Sequence, residues 1–170
     1  MFGSAAPFWS GVLHFLVTPL ALMTVIALAV TMVDAVESTI LLAVTVAAAT
    51  TFLTSAFFPT LSVGIALFAV ASIGVIGAIV TIPSTWLTCV IAIFSGIAAG
   101  ISVGGDNRDW GASLGASIAM LILASWIAAA VGQLQSKPDT KNATVLMRRL
   151  SGGFVVIVAA MMALIELNAG

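Results

Sequence analysis

The chain has 170 residues, of which 62% are hydrophobic and 6% charged, five basic against six acidic. A soluble domain carries roughly a quarter charged residues, so a water-soluble fold could not cover its surface with these, and the near-neutral balance offers no basic face to nucleic acid. A bilayer reverses the demand, because charge within the hydrocarbon is costly and apolar surface is not. The composition therefore predicts an all-α integral membrane protein. It would be one transmembrane domain over 1–170, a bundle of about six helices with no soluble domain.

A span needs about 20 largely apolar residues. In chain order the apolar runs predict helices near 9–33, 38–57, 60–81, 84–104, 111–133 and 147–167. The runs are unbroken, whereas a lipid-facing barrel strand alternates. No basic residue precedes Arg108, so the first run lacks the charged n-region of a signal peptide and is expected to be a retained helix. Asp34 and Glu37 mark the first turn, Pro59 the second, Pro83-Ser84-Thr85 the third and Gly104 to Asp109 the fourth.

The fifth connection, Gln133 to Thr144, is hydrophilic. Lys137 and Lys141 lie in it, and Arg148 and Arg149 just after it. The positive-inside rule puts this loop in the cytoplasm, and counting spans then puts both termini outside. The expected location is a bacterial inner (or intracytoplasmic) membrane. Trp9, Trp86 and Trp110 fall at predicted helix ends, as an aromatic belt requires. Gly96/Gly100 and Gly111/Gly115 each form a GxxxG spacing, late in the fourth span and early in the fifth. Such pairs allow close backbone approach. The short turn between the two spans predicts that they pack tightly on one another there.

The spans hold few groups that could carry chemistry. His14 sits in the first. It reads as a neutral histidine bonded to a neighbouring helix, as the remnant of a metal site, or as the axial ligand of a haem or similar macrocycle. Cys89 is alone, and one histidine with one cysteine falls short of the three or four donors a metal needs. Asp34 and Glu37 read as a solvated helix junction. Asp106, Arg108 and Asp109 read as an outer-turn charge cluster, and Glu166 as an interfacial carboxylate. Hydroxyls such as Thr24, Thr50, Thr51 and Ser55 are expected to bond back to carbonyls one turn earlier. With no paired base or acid they suggest no nucleophile, so no enzyme is predicted and no cofactor is specified.

Gly11-Val12-Leu13-His14-Phe15-Leu16-Val17-Thr18-Pro19-Leu20-Ala21, followed by the apolar stretch Leu22 to Val30, resembles the opening of the HupE/UreJ family of hydrogenase- and urease-accessory membrane proteins. Phe94 to Gly100 is similar to a Gly- and His-rich segment of that family, and Arg149 to Gly152 to the start of its last helix. The resemblance implies a nickel or cobalt permease. Of the opening motif His14 is kept; Phe15, Thr18, Leu20 and Ala21 stand where the family has proline, glycine, aspartate and histidine. The second segment holds no histidine, so most of the expected metal donors are missing.

Two functions follow as expectations. One is a structural or accessory subunit packed by its lipid-facing surface against other subunits of a larger membrane complex, respiratory or photosynthetic. The other is a HupE/UreJ-type permease with reduced or altered metal ligands.

Overall fold

The computed structural model describes residues 6–32, 35, 37–58, 63–79, 84–103, 109–135, 150, 153, 156–161 and 164. Six helices follow in order: α1 Ala6–Val17, α2 Pro19–Thr31, α3 Glu37–Phe57, α4 Val63–Ile79, α5 Thr85–Val103 and α6 Trp110–Gln135. There is no strand among the described residues. Three helices (α3, α5 and α6) are long and apolar enough to cross a bilayer, and α1 with α2 makes a fourth crossing if counted together. The chain is an α-helical membrane protein. Of the expected span 147–167 only 150, 153, 156–161 and 164 are described; they are helical, and Ala159 is buried in the core. Lys137, Lys141, Arg148, Arg149, Asp34, Pro59, Pro83, Asp106, Arg108 and Glu166 lie outside the described residues.

The first span is not the single helix expected over 9–33. It breaks at Thr18, and α1 and α2 are bent by 72°. Pro19 is the cause. It has no N–H to offer the Phe15 carbonyl, its ring clashes with that turn, and it drives the preceding residue out of the helical region. Thr18 accordingly adopts φ −84°, ψ 111°. Its N–H still reaches the His14 carbonyl at 3.0 Å, and its Oγ1 donates to the same oxygen at 2.6 Å. The His14 carbonyl thus carries two donors from Thr18, while the Phe15 carbonyl is the one that loses its helical donor to Pro19.

The later helices begin where their caps dictate. Ser84 accepts the Leu87 N–H on its Oγ at 3.3 Å, and Asp109 accepts the Gly111 N–H on its Oδ1 at 2.9 Å. Both are N-caps, and the Asp109 charge also suits the positive helix N-terminus. Asp109 was expected in a local charge cluster; its described role is to start α6.

The α3 and α5 helices run parallel along a shared seam. Near its start Thr39 Oγ1 lies 3.4 Å from Thr85 Oγ1. Further along, a Cβ built on Gly96 would overlap Thr50 Oγ1 and come within 2.5 Å of the Ala47 carbonyl. One turn later, a Cβ on Gly100 would lie 2.6 Å from Thr54 Cβ and 2.9 Å from the Thr51 carbonyl. A second seam joins α1 to α6. The Gly11 position abuts the Ala112 carbonyl, Gly115 abuts the Phe8 carbonyl, and Gly111 lies 3.0 Å from Pro7 Cβ.

This corrects the pairing expected from the short turn. The α5 and α6 helices touch little, and their glycine pairs face α3 and α1 instead. Trp110, at the head of α6, packs against α3 rather than α5. Its ring centroid is 5.3 Å from that of Phe57, edge-on, and 5.9 Å from that of Phe52. A short turn fixes only where two helix ends lie, and here aromatic contact carries α6 away from α5.

Alanine supplies more than half of the buried apolar positions among the described residues; Phe15, Leu28, Met32, Ile91 and Met120 are buried with it, whereas Leu41, Phe68, Trp86 and Trp126 point outward. Gly100→Leu should therefore drive bulk into the α3 backbone and cost about 1–3 kcal/mol, as overpacking does. The measurement is the folded, monodisperse fraction after detergent extraction. Gly132→Leu is the control, since a Cβ there meets nothing within 4 Å, and should leave that fraction unchanged.

Candidate functional site

His14 lies in the last turn of α1, one turn before the break, and its ring is exposed on the surface of the bundle. Its backbone carbonyl is doubly engaged by Thr18. Cys89 is half-buried on α5. No three His, Cys, Asp or Glu side chains gather as metal ligands among the described residues. The four glycines form the two seams described above and do not converge with His14 on one site.

The interior hydroxyls close on their own helices. Thr24 donates to the Ala21 carbonyl at 2.6 Å, Thr31 to Leu28 at 2.8 Å, Thr51 to Ala47 at 2.8 Å and Ser55 to Thr51 at 2.9 Å. Ser117 does the same toward Leu114 at 2.9 Å. Such bonds remove the cost of a buried hydroxyl and use its one donor, leaving only acceptor lone pairs. Ser95 differs: it is fully buried on α5, and its Oγ has no hydrogen-bond partner.

One feature escaped the sequence reading. The α3 and α6 helices are antiparallel and pinned together at the Trp110 end by Phe52 and Phe57. Toward the other end they part, leaving a cleft of about 770 Å³, lined by Glu37, Ser38, Ile40, Leu41 and Val44 of α3 and by Ser125, Ala128, Ala129, Gly132 and Gln133 of α6. Its rim is polar (Glu37, Ser38, Gln133) and its walls are mainly apolar, with Ser125 as the polar residue farther along α6. The signal for it was divided. Glu37 and Gln133 stood out only as ends of separate helices, and nothing local states that those ends meet.

Comparison with protein-family models, curated proteins and solved structures finds no match for the chain. The residues alone therefore carry the functional reading.

Since the His14 ring is exposed, His14→Ala should change stability by no more than about 0.5 kcal/mol. Thermal unfolding in mild detergent checks this. A larger loss would mean that the ring is gripped by a neighbouring helix.

Proposed function

We propose that the chain is a non-catalytic membrane protein of six spans, with α1 and α2 forming one bent span and residues 147–167 the last. It serves as a structural or accessory subunit packed against a larger membrane complex, respiratory or photosynthetic. The observation that carries this reading is the distribution of side-chain size. Interior seams are closed to backbone contact by Gly, Ala and Thr, while many bulky apolar side chains, Phe68, Trp86 and Trp126 among them, face outward. Such a body offers lipid and neighbouring subunits a large surface for van der Waals packing, the force by which helices associate in membranes.

The start of α3 adjoins the start of α5, and α6 ends beside Glu37. The end of α6 thus lies at the Glu37 end, and Lys137 and Lys141 follow it in the sequence. With that end cytoplasmic, both termini are extracytoplasmic. A reporter fused after Gly170 should be active only in its extracytoplasmic form; cytoplasmic activity would overturn the span count or the orientation. Stoichiometric co-purification with other membrane subunits in mild detergent is the expected result of native extraction. Elution as a lone chain or homo-oligomer would count against the subunit reading.

The broken first span favours a second reading, a HupE/UreJ-type nickel or cobalt permease. Transporters often place their substrates beside discontinuous helices. Here a 72° break follows His14 by one turn, within the segment that resembles that family. Under the subunit reading, calorimetry with nickel at neutral pH should find no site tighter than about micromolar. A stoichiometric tighter site that His14→Ala removes would show that the altered motif still binds metal and would favour the permease reading.

A further inference from the structure

The cleft between α3 and α6 suits one kind of occupant. It opens at the helix ends, where the membrane meets water, and its lining changes character with depth. Glu37, Ser38 and Gln133 stand at the mouth. Ile40, Leu41 and Val44 face Ala128 and Ala129 behind them. Glu37 to Val44 covers roughly 10 Å along the helix axis at 1.5 Å per residue, a depth suited to part of an alkyl chain rather than to a compact polar solute. The volume of about 770 Å³ lies within the ~300–1,000 Å³ usual for small-molecule sites.

Chemistry at the mouth selects the head group. Among the described lining residues Glu37 is the one charged group, and its carboxylate attracts a cationic head. The carboxylate and the Ser38 hydroxyl are both acceptors, matching a primary ammonium with its three N–H donors. A quaternary ammonium has no N–H to donate and is normally recognised by aromatic cages, and no aromatic side chain is among the described residues that line this cleft. A divalent cation would find a single carboxylate, too few donors to replace its water.

We propose that this cleft is a lipid-binding site. It takes a phospholipid with a primary ammonium head, of the phosphatidylethanolamine type, with one acyl chain lying between α3 and α6 and the ammonium at Glu37. The site is independent of whether the chain docks on a larger complex or transports a metal.

The test uses the full chain in phosphatidylcholine vesicles doped with a phosphatidylethanolamine that carries a photoactivatable diazirine in one acyl chain. Cross-links are mapped by mass spectrometry. They should concentrate at residues 40–44 and 125–129, and unlabelled phosphatidylethanolamine should compete them away while phosphatidylglycerol does not. Glu37→Gln, which keeps the size and removes the charge, should lower labelling there roughly tenfold, the worth of one hydrogen bond to a charged group. Gly132→Leu, already the folding control, should fill the cleft and abolish labelling whatever the head group. Labelling spread evenly over the exterior, equal competition by both lipids, or no response to either substitution would overturn the proposal.

Discussion

Helices already surrounded by lipid gain nothing by hiding apolar surface from it, so their association must come from close backbone contact and internally satisfied polar groups. The rest of this architecture depends on that constraint. Gly96 and Gly100 have no room for a side chain against α3, and Gly11 and Gly115 have none across the seam of α1 and α6. Threonine and serine occupy the same interfaces because their hydroxyls can be returned to carbonyls one turn back, which makes them small and effectively apolar toward the neighbouring helix. Many large side chains, though not Phe15, Leu28, Ile91 or Met120, lie on the exterior, where dispersion contact with acyl chains is available without packing precision.

The same constraint shapes the break at Thr18–Pro19. An interrupted helix in a bilayer needs other partners for its freed backbone groups. Here the freed group is the Phe15 carbonyl, which Pro19 cannot serve, while the Thr18 hydroxyl adds a second donor to the His14 carbonyl. The cleft between α3 and α6 arises from a related imbalance. Aromatic rings hold the two helices together at the Trp110 end, while the cleft opens between them at the Glu37 end. What fills such an opening in a membrane is governed by the chemistry of its rim.

Membrane class and helical content were legible in the sequence, because unbroken apolar runs and scarce charge admit few alternatives. The extents of α3, α5 and α6 match the expected spans within about two residues. The bend was written in Pro19, but a hydropathy-based reading passes over a single proline inside a long apolar run. Glycine spacing announced close approach and left the partner open, since a GxxxG ridge fits any helix with a flat face. The turn from α5 to α6 suggested the wrong partner: connection length restrains helix ends, whereas side-chain shape decides which faces meet. The cleft was illegible because its two walls lie far apart in the sequence. His14 keeps its ambiguity of role for a simpler reason: its ring is exposed, so the described residues surround it with no set of partners.

The central claim is that α5 seats its glycine face on α3, in parallel register, and not on α6. Paired cysteine cross-linking in native membranes tests it most directly, with Cys89→Ser removing the background thiol. Thr39→Cys with Thr85→Cys should oxidise rapidly to a disulfide, because the two hydroxyls it replaces are 3.4 Å apart and a disulfide needs Cβ atoms within about 4.5 Å. Ile97→Cys with Leu114→Cys, which would sit level in a packed hairpin of α5 and α6, should stay reduced. Efficient cross-linking of the second pair, with none of the first, would contradict the account.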